Sequence, residues 1–160
     1  MNIIKAVNRT SKYCNSPHLV ITLDGNPLDE IIYAATQDDL NLGLISALDR
    51  CFSNPADSEL AWNRILPQDG QTSVAPILVC PDDLDFHCTV VVALVTATPE
   101  TIQWSKLGFD LSLERPTSDP DSPTIQWLSN VGPFKVLKAD YLSFLSDCKK
   151  HQTDWWSPPA

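Results

Sequence analysis

The sequence predicts an α+β fold, with an antiparallel sheet of about five strands flanked by N-terminal and C-terminal helices. The strongest strand is predicted from Cys88 to Thr96, where β-branched residues dominate. Thr98-Pro-Glu100 is typical of a turn, and Thr101 to Leu107 alternates apolar and polar residues, so these segments should form a hairpin. Apolar residues at helical spacing predict the C-terminal helix from Ala139 to His151, with Tyr141, Leu142, Phe144, Leu145 and Cys148 on one side.

The N-terminal part is predicted to contain a strand, a turn and two helices. His18 to Gly25 is rich in β-branched and apolar residues and closes with Asp-Gly, which is typical of a strand that ends in a turn. Asn26 is then expected to cap a helix whose first position is Pro27. A second helix is predicted from about Asp39 to Cys51, with Leu42, Leu44, Ile45 and Leu48 directed inward.

The middle of the chain is predicted to supply further strands. Ser53 to Ser58 reads as a loop, Leu60 to Ile65 alternates in part, and Val74 to Val79 is short and apolar, so the last two are predicted strands. The tetrapeptide Thr124-Ile-Gln-Trp127 has the same sequence as Thr101-Ile-Gln-Trp104. We interpret the repeat as two adjacent strands with the same inside–outside pattern.

The length predicts a single domain that covers residues 1–160. With 160 residues, of which 43% are hydrophobic, the chain can bury an adequate core. The segment from Arg115 to Pro123 holds three prolines and is predicted to be a mobile loop within that domain. Residues 152–160 are predicted to form a C-terminal tail.

The protein is expected to be cytoplasmic. The run from Val90 to Val95 is far shorter than the roughly 20 apolar residues that span a bilayer. The first residues lack the apolar core of a secretory signal. The five cysteines have no regular spacing, as expected of reduced thiols.

The charge of the chain is acidic and unevenly distributed. The net charge is −9, and the segment between Leu66 and Ser105 contains five acids and no base. Binding to nucleic acid or to an anionic membrane is disfavoured, because both need basic groups. A basic protein partner would be attracted and would associate faster. Solubility alone would also account for the acidity, and composition does not separate these two interpretations.

The stretch from Cys80 to Cys88 concentrates chemically reactive side chains between two apolar runs. It contains three carboxylates, two thiols and an imidazole. A zinc site is not expected, because the second pair of ligands is missing and the adjacent His87 and Cys88 would point to opposite faces of a strand. An EF-hand site that starts at Asp83 fails as well, since its sixth position would be Cys88 instead of glycine. We therefore predict no metal and no cofactor.

Familiar catalytic motifs are also missing from the sequence. It has no G-x-S-x-G, no H-E-x-x-H and no glycine-rich phosphate loop. The sequence therefore favours a binding protein over an enzyme. Two alternatives stay open: a small hydrolase or metal-dependent enzyme centred on Asp82 to Cys88, and an adaptor or structural subunit of another bacterial assembly.

One family resemblance sharpens this expectation. It is carried by Gly43-Leu-Ile-Ser-Ala-Leu48, Trp62-Asn-Arg-Ile-Leu-Pro67, Cys80-Pro-Asp-Asp-Leu-Asp-Phe86, Cys88-Thr-Val-Val-Val-Ala93 and Trp104-Ser-Lys-Leu-Gly-Phe-Asp110, and more weakly by Phe134 and Tyr141-Leu-Ser-Phe144. In these segments, which cover about half the chain, the sequence resembles the small cytoplasmic immunity proteins of bacterial polymorphic-toxin and contact-dependent growth inhibition systems. The resemblance implies a non-enzymatic protein that neutralises a cognate toxin domain by occluding its active site.

The resemblance assigns no contact residue, so the expected contacts rest on charge. A nuclease toxin must bind phosphates and tends to be basic, and an acidic inhibitor can mimic its nucleic acid. The toxin is therefore expected to be a nuclease. The predicted partner-binding residues are the acids of the segment 24–39 and of the loop 82–85, with an exposed aromatic side chain as the anchor. They are Asp24, Asp29, Glu30, Asp38, Asp39, Asp82, Asp83 and Asp85.

Overall fold

The computed structural model describes residues 1–11, 14–49, 54–81, 85–112 and 114–155, without the side chains of residues 11, 14–16 and 152–155. The elements in these segments are β1 (Ile4–Ser11), β2 (Cys14–Leu23), β3 (Asn26–Pro27), α1 (Leu28–Thr36), a 3₁₀ turn (Asp39–Asn41), β4 (Ile45–Ser46), α2 (Pro55–Ile65), β5 (Thr72–Val79), β6 (Val90–Ala97), β7 (Thr101–Asp110), β8 (Ile125–Trp127), β9 (Phe134–Leu137) and α3 (Lys138–Trp155). The predicted α+β class with an antiparallel sheet is confirmed.

The smaller sheet has the order β1-β2-β3 and is antiparallel throughout. Strands β2 and β3 are joined by a turn in which Asp24 and Gly25 have φ values of 53° and 85°. Such left-handed backbone is the reason for an Asp-Gly pair at this position. The predicted strand and turn from His18 to Gly25 are therefore confirmed.

The larger sheet has the order β4-β5-β6-β7-β8, and β9 also pairs with β7. The predicted β6–β7 hairpin is confirmed, with a register that runs from Ala97 opposite Ile102 to Val91 opposite Phe109. The two Thr-Ile-Gln-Trp segments do lie in adjacent strands, because β8 pairs with β7. The valines of β6 are buried from both sides, which explains its continuous apolar run.

Helix α2 covers the strand predicted from Leu60 to Ile65 and most of the loop predicted from Ser53 to Ser58, so the strand prediction is wrong and the loop prediction is wrong from Pro55 on. Ser53 lies outside the described residues. Asn54 caps the helix, since its Oδ1 accepts a hydrogen bond from the Ala56 N–H at 3.0 Å, and Pro55 follows at the first turn. Its buried residues Asp57, Ala61 and Ile65 are four apart, as one helix face requires. The partial alternation from Leu60 to Ile65 fits that helical period as well.

The helix predicted from Asp39 to Cys51 is wrong over its described residues. The chain makes a short 3₁₀ turn, then Gly43 adopts φ 89°, and Ile45–Ser46 joins the sheet beside β5. Leu44, Ile45, Ala47 and Leu48 are all buried. The apolar pattern thus predicted the burial of these residues correctly. It did not predict their secondary structure, because Gly43 has left-handed backbone and interrupts the helical period. Cys51 lies outside the described residues.

The predicted cap of the first helix is also wrong. Asn26 and Pro27 pair with β2, and α1 begins at Leu28 with Pro27 at its cap position and no side-chain cap bond. The backbone of both residues is extended because it completes the small sheet. The helix itself is present, and its last residue is Thr36.

Helix α3 confirms the predicted C-terminal helix and runs on to Trp155, into the segment predicted as a tail. Tyr141, Phe144, Leu145 and Cys148 are buried, whereas Leu142 is 45% exposed, so its predicted inward position is wrong. None of the described helices is both long enough and apolar enough to cross a lipid bilayer.

Buried carboxylates hold several of the connections between these elements. Asp49 Oδ2 accepts from the Leu19 N–H at 2.7 Å, and its Oδ1 lies 3.4 Å from His151 Nε2 of α3. Asp110 accepts from the N–H groups of Ser112 and Thr117, which ties the start of the predicted 115–123 loop to β7. That segment is a loop in the structure, and its mobility stays a prediction.

Candidate partner-binding groove

An open groove of about 600 Å³ lies where the 3₁₀ turn meets the large sheet. Its walls are the turn, the start of β6, the end of β7 and the exposed face of β8. The groove therefore brings together two regions that are distant in sequence: the 38–41 segment and the end of the 80–88 stretch. The predicted contact segments were 24–39 and 82–85; of their named acids, Asp38 lines the groove.

Leu40 is the most exposed large apolar residue at this groove, with 84% of its surface accessible. Asp38 sets its position, because Asp38 Oδ1 accepts from the Leu40 N–H at 3.0 Å and so caps the turn. Asn41 donates from Nδ2 to Thr36 Oγ1 at 2.8 Å on the inner side. The turn is thus tied to α1 and holds the leucine outward.

Leu111 is the second exposed apolar residue, at 59% accessibility. It follows the last residue of β7, and its N–H donates to the Thr124 carbonyl at 2.8 Å. The neighbouring Asp110 carboxylate accepts from the Ser112 N–H at 2.9 Å. Because both bonds fix the backbone beside Leu111, its exposure is built into the fold. Half-buried Phe109 belongs to the same lining and packs against the core.

The rim of the groove is acidic. Asp38 and Asp39 are exposed on the turn, and Asp85 stands beside the groove residue His87. Asp85 Oδ1 accepts from the His87 N–H at 2.9 Å, and its Oδ2 lies 3.3 Å from His87 Nδ1. Among the described residues that line the groove there is no lysine and no arginine. A cationic partner would therefore meet carboxylates around an apolar centre.

The other predicted contact residues are placed differently. Asp29 is only 9% exposed, and its Oδ2 accepts from the Gly43 N–H at 2.9 Å, so its carboxylate supports the fold. Glu30 is exposed on α1 but lines a different cavity. Asp82 and Asp83 lie outside the described residues.

Asp24 serves as an anchor for the first residues of the chain. Its Oδ2 accepts from Asn2 Nδ2 at 2.7 Å, and its Oδ1 accepts from the Ile3 N–H at 2.8 Å. The hydrogen bond from the Asn2 side chain, followed by that from Ile3, lowers the pKa of Asp24 below its ordinary value. Stability from these bonds is complete above the unfolded-state pKa and is lost as the pH falls through the lowered folded-state pKa.

We expect Asn2→Ala to raise the pKa of Asp24 toward the value of a free aspartate. The variant removes the largest contribution to the shift and leaves the Ile3 bond in place. The titration of the Asp24 carboxyl carbon, followed by NMR, measures this directly. Asn8→Ala is a suitable control, because Asn8 is an exposed asparagine of β1 that pairs opposite Leu19 and does not contact Asp24. An unchanged Asp24 midpoint in Asn2→Ala would contradict the assignment.

The reactive side chains of the 80–88 stretch that the structure describes differ in exposure. His87 is a surface residue with 72% of its side chain exposed, whereas Cys80 and Cys88 are half-buried. Over the part of the chain that the structure describes, no three His, Cys, Asp or Glu side chains gather in a way that could hold a metal ion.

Sequence reasoning missed the two exposed leucines. Leu40 stands among acids and an asparagine, which is an unusual setting for a large apolar residue and was the available signal. Leu111 gave no signal, since it follows an apolar strand. The expected aromatic anchor has no counterpart among the described residues: the large hydrophobic side chains exposed there are Met1, Ile3, Leu40, Leu111, Leu137 and Leu142.

Comparison of the chain with protein-family models, with curated proteins and with solved structures finds no match.

Proposed function

We propose that this protein is an immunity protein that binds a basic toxin domain of a bacterial competitor system through the groove around Leu40 and Leu111. The observation that carries the proposal is the combination of two exposed leucines with an acidic rim that has no lysine or arginine among its described residues. The family resemblance of the sequence supports the same class of function. On this proposal the protein acts in the cytoplasm, without catalysis, by covering the active site of the toxin.

The groove has the layout of a protein–protein contact. Binding energy in such contacts is concentrated in a few central side chains that are shielded from water by their surroundings. The Leu40 N–H donates to the Asp38 carboxylate and the Leu111 N–H donates to the Thr124 carbonyl, so little backbone entropy is lost when a partner covers the two leucines. The surrounding carboxylates then supply orientation and association rate.

A nuclease is the toxin class that best fits this charge. Nucleases need basic groups to bind the phosphate backbone, so their active-site clefts attract carboxylates. Asp38, Asp39 and Asp85 present three carboxylates near one apolar centre. On such a surface the carboxylates can occupy the phosphate-binding groove of the toxin while the leucines contact the apolar residues beside that groove.

The test is to capture the partner and to measure its inhibition. The full-length protein serves as bait in a lysate of the organism that encodes it, and the captured protein is identified by mass spectrometry. We expect a basic toxin fragment whose nuclease activity is abolished at a one-to-one ratio. A second bait, Leu40→Ser with Leu111→Ser, should capture much less of it. Leu142→Ser, which changes an exposed leucine outside the groove, is the matched control.

The proposal would be overturned by a captured partner that has no toxic activity, or by a toxin that binds both baits equally. The first outcome would favour the adaptor hypothesis, and the second would place the contact elsewhere on the surface. A tightly bound metal ion on the purified bait, together with turnover of a small substrate, would instead favour the enzyme centred on Asp82 to Cys88.

Changing Asp38, Asp39 and Asp85 together to asparagine is expected to slow association with the toxin by about tenfold at low salt. Asparagine can still accept the cap bond from the Leu40 N–H, so the turn should keep its shape. Stopped-flow measurement at several salt concentrations checks the prediction, because the variant should also show a weaker salt dependence.

The control for this variant changes the same number of charges elsewhere. Glu59→Gln, Asp140→Asn and Asp147→Asn remove three exposed acids of α2 and α3 that do not line the groove. Equal rates for the two triple variants would mean that net charge, and not the acidic rim, governs association.

A further inference from the structure

A second cavity, of about 420 Å³, lies between β2, α1 and the segment that leads into β4. Its floor consists of buried apolar side chains, among them Leu19, Leu28, Leu44 and Leu78. The volume falls in the range of about 300–1,000 Å³ that is usual for small-molecule sites. This cavity shares no lining residue with the partner-binding groove.

The rim of this cavity carries opposite charges on two different elements. Arg9 of β1 is opposite His18 of β2 in the antiparallel ladder, so both side chains lie on the face of the sheet that borders the cavity. Glu30 and Tyr33, which are three residues apart on α1, border it from the helix. One wall thus provides a guanidinium, and the other a carboxylate and a phenol.

Three of these polar groups, on Arg9, Glu30 and Tyr33, retain their hydrogen-bonding capacity. Within the described part of the chain, the side chains of Arg9, Glu30 and Tyr33 make no hydrogen bond and no ion pair. The nearby Asp29 differs, because its carboxylate is already engaged by the Gly43 N–H. A cavity with an apolar floor and unpaired groups of both signs at its rim is complementary to a compact molecule that has one apolar part and two opposite charges.

We infer that this cavity binds an apolar α-amino acid as a free zwitterion. The ligand carboxylate would pair with the Arg9 guanidinium, which is suited to bidentate contact with a carboxylate. The ligand ammonium would pair with Glu30, and the apolar side chain would lie on the leucine floor. The inference does not depend on the toxin partner, since it uses a different part of the surface.

Isothermal titration with three probes tests each contact separately. L-phenylalanine carries both charges, L-phenylalaninamide lacks the carboxylate, and 3-phenylpropionate lacks the ammonium. We expect the wild-type protein to bind L-phenylalanine about three- to tenfold more tightly than either analogue, as pairs at a partly exposed rim allow. Glycine, which has no side chain to cover the floor, should bind more weakly than L-phenylalanine.

Two conservative variants complete the test. Arg9→Gln should weaken L-phenylalanine and 3-phenylpropionate but leave L-phenylalaninamide unchanged, and Glu30→Gln should produce the converse pattern. Both residues are exposed, so the folded state of each variant can be verified by its thermal unfolding. The inference is overturned if none of the probes gives a binding heat at millimolar concentration. It is also overturned if a variant weakens all three phenyl-bearing probes equally.

Discussion

Replacing Gly108 by alanine is expected to lower the free energy of unfolding by about 3 kcal/mol, the upper end of the usual cost of overpacking. A Cβ at this position would lie 2.5 Å from the Gln126 carbonyl oxygen and 2.9 Å from both Cα and Cε3 of Trp127. Two of these three atoms belong to the backbone of β8, so rotation of a side chain cannot relieve the collision. Strand β8 would have to move away from β7, with which it pairs through three residues.

Unfolding in urea, followed by circular dichroism, measures this loss. Trp127→Ala in the Gly108→Ala background should restore little stability, because it removes the Cε3 contact but neither backbone contact. Gly70→Ala is the comparison, since a Cβ there meets open space and the cost arises from its φ of 82° alone. A Gly108→Ala variant as stable as Gly70→Ala would show that β8 yields easily.

Tyr141→Phe is expected to cost about 3 kcal/mol, because it leaves two buried groups without a partner at about 1–3 kcal/mol each. The Tyr141 hydroxyl donates to the Ile65 carbonyl at 2.7 Å and accepts from Trp104 Nε1 at 3.2 Å. These bonds join α3 to the end of α2 and to β7. The phenylalanine ring would keep the edge-on contact with Trp104, so the loss isolates the hydroxyl.

The matched control is Tyr33→Phe, whose hydroxyl has no bond in the described structure and whose loss should change stability by less than about 0.5 kcal/mol. Burial raises the pKa of Tyr141 above its ordinary value, so the hydroxyl stays a donor at physiological pH. The difference between the two variants should therefore be the same across that range. Equal stability of Tyr141→Phe and Tyr33→Phe would contradict the proposed role of the hydroxyl.

The sequence correctly predicted those elements whose apolar spacing fits only one type of secondary structure. The β-branched run of β6 and the helical spacing of α3 each agree with a single structure. The segment from Leu60 to Ile65 is so short that its apolar spacing fits both a strand and a helix. The capping residue Asn54 was the sequence signal for the helix. The segment from Asp39 to Ser46 failed because Gly43 adopts left-handed backbone and Ile45 pairs with Val79, a partner that local spacing does not reveal.

The candidate site was predictable in charge but not in geometry. Composition marked the acids of the 24–39 segment as a group, although the structure divides them by environment. Asp29 is engaged by Gly43, 14 residues away in the chain, whereas Asp39 stays exposed on the turn. Such long-range hydrogen bonds cannot be inferred from the spacing or alternation of apolar residues in the sequence. The exposure of Leu111 depends on its bond to Thr124 and was likewise hidden.

The buried carboxylates also change how the charge of −9 should be understood. Asp29, Asp49 and Asp110 are consumed in holding backbone N–H groups inside the molecule, so an approaching partner meets fewer carboxylates than the composition suggests. Two populations of acids follow: buried carboxylates, whose replacement would leave core backbone N–H groups unpaired, and carboxylates nearer the surface, whose local bonds an asparagine could keep. On the proposed function, substitutions at Asp38, Asp39 and Asp85 would change the surface charge while the buried carboxylates keep the scaffold, so that one fold could serve different targets.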